Sequence, residues 1–162
     1  MTAPTPAARA TPSGRFLGDG YQTLVALTAD TNIEFFEVTV TPPGIEMDDP
    51  NDTTTMHNVD WRTMSPRTLA KLTDTQITAN YDPVVYNAIL AIINVVTTVT
   101  IHFPDGSSLC FYGFVKSFQP GDRSEGNKPT CTVMIVATNQ DPLTCAEAGP
   151  VYTAGTGTGQ TC

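Results

Sequence analysis

The residue types best suited to catalysis in this sequence lie between positions 57 and 65. His57, Asp60 and Ser65 are the side-chain types of a hydrolase triad, in which histidine takes a proton from serine and a carboxylate orients the histidine. No nucleophile elbow or other local signature surrounds Ser65, and such a motif is what makes a nucleophilic serine recognisable. We therefore expect an ordinary hydrogen-bonding loop here and no enzymatic activity.

Residues that could bind a metal or a cofactor are equally sparse. Asp48, Asp49 and Asp52 could offer carboxylates to Ca²⁺, but the stretch lacks the central glycine and distal glutamate of an EF-hand loop. Gly18-x-Gly20 lacks the third glycine and the strand–turn–helix context of a dinucleotide site. We expect a solvated acidic loop, with no metal and no cofactor.

The four cysteines do not indicate a metal site either. They have no C-x-x-C spacing, and two histidines cannot complete a common zinc motif with them. Cys110 and Cys131 lie in strand-like runs, where a free cysteine behaves as a small hydrophobic residue. A disulfide between Cys145 and Cys162 that fixes the C-terminal tail is an alternative, which a reducing compartment would disfavour.

Composition narrows the class of protein. The 162 residues suffice for one domain, charged residues make up 15% against a usual ~25%, and threonine, a strand-favouring residue, is abundant. The net charge of -8 argues against a nucleic-acid-binding or membrane-surface protein, because both need basic patches. No stretch approaches the ~20 apolar residues of a membrane span, and the N-terminus lacks the charged-then-apolar order of a signal peptide.

The chain divides into a central β domain, residues 21–140, and two arms, residues 1–20 and 141–162, the first rich in proline and glycine and the second ending in a glycine–threonine tail. Alternating patterns in the central part predict six strands, at 24–29, 36–41, 76–81, 98–103, 109–118 and 130–138. The last two are apolar on both faces, so a sheet, a helix or another chain must cover each face.

One helix is predicted between the third and fourth of these strands. Asp82 is a good N-cap, Pro83 suits the first helical position, and Asn94 is a plausible stop. The helix is apolar nearly all round, which is typical of a helix held between its own sheet and a partner. We expect a buried seam on this helix, formed by Val85, Ile89, Ile92 and Ile93.

Residues 42–74 form the least regular segment. Loops beyond ~12–15 residues in a compact domain are usually functional or disordered. This one contains the only tryptophan and three of the eight basic residues. Aromatic residues and arginine are enriched at interface hot spots. We therefore expect contacts between subunits from this loop, made by Asp52, Thr55, Met56, His57, Trp61, Arg62 and Arg67.

Several short motifs follow one another in a recognisable order. They are Pro42-Pro43-Gly44-Ile45, Asp52-Thr53-Thr54-Thr55-Met56-His57-Asn58, Trp61-Arg62, Tyr81-Asp82-Pro83 with its apolar helix, Phe103-Pro104-Asp105-Gly106-Ser107 and Phe111-Tyr112-Gly113-Phe114-Val115. This succession resembles the major tail tube proteins of long-tailed bacteriophages, especially those of flexible, non-contractile tails. The resemblance covers roughly residues 21 to 140 and leaves both arms out.

The resemblance implies a mainly β fold: a β-sandwich or partly open barrel with one flanking α-helix, extended terminal arms and a long inter-subunit loop. Copies would join into a hexameric ring with a continuous inner barrel, and rings would stack into a hollow tube that passes DNA into the host. The loop carrying residues 52–62 would reach a neighbouring ring.

The resemblance also implies partners and a location. Besides other copies of the chain, the partners would be a tape measure protein inside the tube, a tail terminator and tail-tip proteins. Genome DNA would pass without specific binding, and no membrane would be involved. The subunit would assemble in the host cytoplasm and reside in the virion tail.

Two other functions stay open. One is a tube or ring protein of a contractile tail or secretion apparatus. The other is a non-enzymatic surface-binding β-sandwich, such as a capsid decoration protein or an adhesin, which would need an exposed aromatic platform. The tyrosines and the tryptophan are dispersed in the sequence, which disfavours the second.

The acidity of the chain supports one more hypothesis about a tube. A basic lumen would hold DNA, whereas an acidic or neutral lumen would repel the duplex and keep it moving. The alternative is that the net charge of -8 only keeps the unassembled subunit soluble.

Overall fold

A computed structural model describes residues 22–29, 33 and 35–155 of the chain. Within these residues there are eleven strands and one helix. In chain order they are β1 (Leu24–Leu27), β2 (Phe36–Thr41), β3 (Ile45–Met47), β4 (Asn51–Asp52), β5 (Met64–Ser65), β6 (Ala70–Leu72), β7 (Thr75–Asn80), α1 (Pro83–Ile92), β8 (Thr97–His102), β9 (Ser108–Pro120), β10 (Thr130–Ala137) and β11 (Val151–Thr153). The prediction of a mainly β fold with one flanking helix is confirmed. The predicted N-terminal arm, residues 1–20, lies outside the described residues.

The main sheet is antiparallel and has seven strands. Six follow the order β1-β8-β9-β10-β7-β2, and β11 pairs with β9 off this path. The long strand β9 organises the sheet, because its first half pairs with β8 and β11 and its second half pairs with β10. The strands β1 and β2 form its two edges, and the sheet is open rather than closed into a barrel.

One face of this sheet forms the hydrophobic core. The strands β1, β7, β8, β9 and β10 each bury alternate residues on that face, as the period of two requires. The side chains of Ile77, Val99, Ile101, Val133 and Ile135 are completely buried there. The six predicted strands coincide with β1, β2, β7, β8, β9 and β10 to within two residues.

The edge strand β2 departs from its simple pattern. A bulge at Val38 breaks the register with β7. A bulge adds one residue to a strand and so reverses the alternation of faces beyond it. As a result Glu37 and Val40 both lie opposite buried residues of β7, while Phe36 and Val38 are exposed. The apolar residues that alternate along β2 are Phe36, Val38 and Val40, and the first two of them therefore point to solvent.

The helix α1 has the predicted start and ends one residue early. Its terminus is marked by Asn94, whose φ of 61° lies in the left-handed region that asparagine tolerates. The Asn94 N–H donates to the Val115 carbonyl at 3.1 Å. This bond attaches the end of the helix to the second half of β9.

Residues 42–74, predicted as an irregular loop, form an ordered hairpin arm. The strands β3 and β6 pair at its base, and β4 and β5 pair further out. The three basic residues of the arm face acidic ones across it: Lys71 faces Glu46 and Asp48, Arg67 faces Asp48, and Arg62 faces Asp52, at 3.7 to 4.0 Å. Exposed ion pairs stabilise little individually, so their main effect is to favour this register.

The cysteines differ from the expectation in one respect. Cys110 is disulfide-bonded and not free, whereas Cys131 and Cys145 are free thiols. Cys110 alternates with the core residue Phe111 on β9 and so lies on the opposite face of the sheet, where it is also buried. The alternative bridge from Cys145 is not formed, since Cys145 is free; Cys162 lies outside the described residues. Burial raises the pKa of the Cys131 thiol.

Candidate assembly surfaces

The tip of the hairpin arm, residues 53–63, is held by side-chain hydrogen bonds to the backbone. The Thr54 N–H donates to Asp52 Oδ1 at 2.8 Å. The side-chain amide of Asn58 donates to the Trp61 carbonyl at 3.0 Å. Such short polar side chains replace regular ladder bonds where the chain turns. The tip therefore has a defined shape without help from a partner.

The carboxylate of Asp52 anchors this shape. Hydrogen bonds from the Thr54 hydroxyl and N–H hold the pKa of Asp52 below its usual value of 3.8. Arg62 lies 3.8 Å away and adds a weak, exposed ion pair. On the other side of the turn, Thr55 donates its N–H to Asn58 Oδ1 at 2.8 Å. Asp52 is thus charged at neutral pH.

The same tip presents large apolar side chains to water. Trp61 is 83% exposed, and Met56 and Val59 are almost completely exposed. Apolar groups held in a fixed arrangement and left uncovered are typical of a contact surface, and tryptophan is the residue most enriched at hot spots. Val59 was missed by the sequence analysis, although it lies between His57 and Trp61 in the expected contact segment.

Six of the seven residues predicted for subunit contacts belong to the tip or its first flanking pair. They are Asp52, Thr55, Met56, His57, Trp61 and Arg62. The seventh, Arg67, lies lower on the arm, where it faces Asp48 at 4.0 Å. That these residues contact another subunit stays a prediction.

The predicted helix seam is divided between the core and the surface. Ile89 is 1% exposed, Ile92 is buried and Val85 is partly buried, and all three pack in the chain's own core. Ile93, predicted in the same seam, is exposed in the described chain, so its burial in an assembly stays a prediction. Ile93 follows the last residue of α1 and still donates its N–H to the Ile89 carbonyl at 2.9 Å, while its backbone also bridges to Val115 of β9.

A second apolar row runs along the outer side of α1. Tyr86, Leu90 and Ile93 are spaced four and three residues apart, which places them on one side of a helix. All three are exposed, Leu90 by 57%, and the exposed Val95 and Val96 follow them in the sequence. We call these five residues the outer helix stripe. The ring of Tyr86 packs edge-on against Phe118 of β9, with centroids 5.8 Å apart.

A third apolar surface lies where the two edges of the main sheet approach each other. Glu37 of β2 accepts the N–H of Val25 of β1 on its Oε1 at 2.8 Å. Beside this bond is a cleft of about 700 Å³ between the two strands. Its lining includes three exposed apolar side chains, Leu24, Phe36 and Val38. We call it the edge cleft.

The main sheet carries almost no charge. Within its seven strands, all of which are described, Glu37 and Lys116 are the only Asp, Glu, Lys or Arg residues. On β7 and the first part of β10 the side away from the core carries neutral polar side chains, at Gln76, Thr78, Asn80, Thr130 and Thr132, beyond which it continues to the apolar Met134. We call these five residues the polar sheet face. The other acidic residues in the described part of the chain lie mostly in the arm and loops.

The residues considered for catalysis and metal binding are spread along the arm. Ser65 pairs with Asn51 in the ladder of β4 and β5, whereas His57 lies in the tip. Among the described residues, no three His, Cys, Asp or Glu side chains are close enough to hold a metal ion. The same residues include no helix with the length and apolar character needed to cross a bilayer.

Solved structures with this fold come from tail and tube assemblies. A chain in the virion of a native gene transfer agent particle has a TM-score of 0.60 at 12% identity, covering 85% of this chain and 99% of that chain. A chain in the tail of an empty gene transfer agent particle, computed with helical refinement and C6 symmetry, has a TM-score of 0.56 at 11% identity. The match covers 85% of this chain and 99% of that chain. A chain in the sheath–tube complex of an extracellular contractile injection system has a TM-score of 0.57 at 13% identity. The match covers 83% of this chain and 89% of that chain.

Identities this low establish a shared fold and no more. At the level of sequence, no family model matches the chain, and no curated protein matches it.

Proposed function

We propose that this chain is the tube subunit of a phage-type tail, a structural virion protein that assembles with its own copies into stacked rings. One observation carries the proposal. The chain shares its fold with two gene transfer agent chains over nearly their whole length. In addition, its described residues leave three apolar surfaces exposed: the arm tip, the outer helix stripe and the edge cleft. A subunit that is complete only in an assembly explains all three.

The proposed rings are hexameric. The C6 symmetry of the gene transfer agent tail, which contains a chain of the same fold, supports this number. Contacts between different patches on identical copies close into a ring when the rotation allows, and otherwise continue as a filament. A tube uses both modes, with lateral contacts that close and axial contacts that repeat.

The hairpin arm is proposed as the axial contact. Its tip is already ordered, so little conformational entropy is lost when it binds a neighbouring ring. Met56 and Trp61 would provide the buried apolar contact, and His57, Thr55 and Arg62 would form a polar rim around it. Arg67, which is lower on the arm and already ion-paired, would contribute least.

The polar sheet face is proposed to line the channel. DNA carries about one negative charge per 1.7 Å of axis, so a wall of neutral hydroxyl and amide groups neither binds the duplex electrostatically nor strongly repels it. This corresponds to the neutral version of the lumen hypothesis. A tape measure protein would fill the channel before DNA does, and terminator and tip proteins would close the tube ends.

The role in this proposal is mechanical and needs no catalysis, cofactor or membrane. A second candidate is the tube of a contractile apparatus, which the shared fold with the injection-system chain favours. The two differ in whether the tube needs a sheath. Smooth tubes that form from the purified chain alone would support the non-contractile assignment, and tubes that form only with a sheath protein would support the contractile one.

Replacing Trp61 with Ala tests the axial contact. Size-exclusion chromatography and negative-stain electron microscopy of the wild type should show rings and long tubes. The variant should form rings but few or short tubes, with an almost unchanged melting temperature, because most of the Trp61 side chain is exposed in its own subunit. The matched control is Leu143→Ala, another strongly exposed apolar position outside the three surfaces.

Two results would count against these assignments. A wild-type chain that stays monomeric at high concentration would contradict the proposed function. A Trp61→Ala variant that makes normal tubes but melts earlier would show that Trp61 supports the fold rather than stacking.

A further inference from the structure

We propose that the outer helix stripe of one copy packs into the edge cleft of the next copy, and that this single contact closes the ring. The inference rests on the proposed function, because it assumes a ring of identical subunits. The inference goes beyond the proposed function by naming the two surfaces that meet.

The two surfaces lie in different places in the fold. The stripe is fixed to β9, in the middle of the sheet order, through the Asn94–Val115 hydrogen bond and the Tyr86–Phe118 ring contact. The cleft lies between β1 and β2, which are the two ends of that order. A contact between two different patches is heterologous and repeats from copy to copy, as ring closure requires.

The chemistry of the two surfaces is complementary. Tyr86, Leu90 and Ile93 occupy positions i, i+4 and i+7, the spacing with which an amphipathic helix inserts its anchors into a groove. The cleft provides the groove, with Phe36 and Val38 exposed along it. Helix packing covers apolar side chains on both partners at once and leaves neither surface in water.

The cleft also contains one charged group. Glu37 is half-buried there, where its Oε1 accepts the Val25 N–H and further acceptor capacity remains.

The seam residues predicted from sequence cannot make this contact. Ile89 and Ile92 are already buried in the core of their own subunit, so they have no surface left for a neighbour. The row on the other side of the helix is the one that remains available.

A mixing experiment tests the pairing. Leu90→Asp places a charge in the stripe and leaves the cleft intact, whereas Val38→Asp places a charge in the cleft and leaves the stripe intact. Both positions are more than half exposed, so each variant should keep the wild-type circular dichroism spectrum. By sedimentation velocity or native mass spectrometry, each variant alone should be monomeric. An equimolar mixture should form a dimer and nothing larger, because one intact stripe meets one intact cleft.

Each other outcome overturns the pairing. If either variant alone still forms rings, its surface is not in the contact. If the mixture stays monomeric, the two surfaces do not meet each other. If one variant alone dimerises, the remaining surface pairs with itself and the contact is isologous. Leu143→Asp, the matched control, should assemble as the wild type does. These failures are distinct from failure of the proposed function, in which the wild type itself would not form rings.

Discussion

Asp52 shows at the scale of one residue how a loop can be prepared for binding. Its carboxylate accepts the Thr54 N–H, and the same turn holds Trp61 through Asn58. The turn is exposed, so its stability comes from local bonds and not from burial. Because hydrogen bonds lower the pKa of Asp52, the charged carboxylate favours the ordered tip.

The tip should therefore loosen in acid, and only in strong acid. The pKa of Asp52 in the folded chain is below the usual 3.8. Its contribution to the stability of the ordered tip is therefore fully present above pH 3.8 and is lost as the pH falls through the lowered pKa. In NMR spectra of the unassembled subunit, the Thr54 amide should stay protected from exchange between neutral pH and about 4, and lose protection below that. In Asp52→Asn this acid-dependent loss should disappear.

Asp105 provides an internal control in the same spectra. Its pKa is also lowered, by hydrogen bonds from the Ser107 hydroxyl and N–H in the turn between β8 and β9. The Ser107 amide should keep its acid transition in Asp52→Asn, since the two turns are separate. If the Thr54 amide loses protection near neutral pH, or if its acid transition survives in the variant, Asp52 does not hold the tip.

At the scale of elements, α1 packs in its own core with one side and, in the proposed ring, contacts a neighbour with the other. Ile89→Ala should lower the free energy of unfolding of the unassembled subunit by about 2–5 kcal/mol, because it leaves a cavity in a packed core. Leu90→Ala should change the free energy of unfolding by no more than about 0.5 kcal/mol, because Leu90 is 57% exposed. The same variant should nevertheless assemble more slowly. Urea unfolding measures the first effect and light scattering the second.

The adjacent positions are matched controls for each other. If Leu90→Ala destabilises the monomer as much as Ile89→Ala does, the outer stripe is part of the core. If both variants assemble at the wild-type rate, α1 has no role in a contact between subunits.

The elements themselves were largely predictable, and their surfaces were not. Alternation within a strand and the Asp82–Pro83 start of the helix are local signals, so the six main strands and α1 appear where expected. The bulge at Val38 interrupts a sequence that alternates without a break, so only the pairing with β7 shows it. The seam predicted on α1 combines the buried Ile89 and Ile92 with the exposed Ile93, because a helix that is apolar nearly all round does not indicate which side its sheet takes.

The hairpin arm escaped prediction for a related reason. Its ladders are two or three residues long, too short to give a period, and they pair residues far apart in sequence, such as Ile45 with Leu72. The segment from Asp52 to Arg62 was nevertheless singled out, because an isolated tryptophan among polar residues in a long loop is an unusual composition. That it contacts another subunit stays a prediction.

At the scale of the whole molecule, the distribution of charge matters more than its total. The net charge of -8 would give an acidic channel only if the acids faced it, yet the main sheet strands carry one acid and one base. Most of the acids among the described residues lie in the arm and loops, where some of them pair with the arm's own bases. We expect these acids to keep the free subunit soluble. Solubility and passage of DNA are thus assigned to different parts of the chain.

A pair of lysines on the polar sheet face should turn a passive channel into one that retains DNA. Thr78 and Thr132 are directly opposite each other on β7 and β10, and neither belongs to the arm tip, the stripe or the lining of the cleft, so Thr78→Lys with Thr132→Lys should still assemble. Purified tubes of this variant should retain a short DNA duplex in gel filtration at low salt and release it at high salt, because release of counterions drives binding to lysine. Wild-type tubes should retain none.

The glutamine pair at the same positions separates charge from size. Tubes with Thr78→Gln and Thr132→Gln have longer side chains but no added charge, so they should release the duplex as the wild type does. Equal retention by the glutamine and lysine tubes would mean that bulk rather than charge traps DNA. Lysine tubes that assemble but retain no more than the wild type would place this face outside the channel, and the neutral wall would then have to be formed by another surface of the subunit.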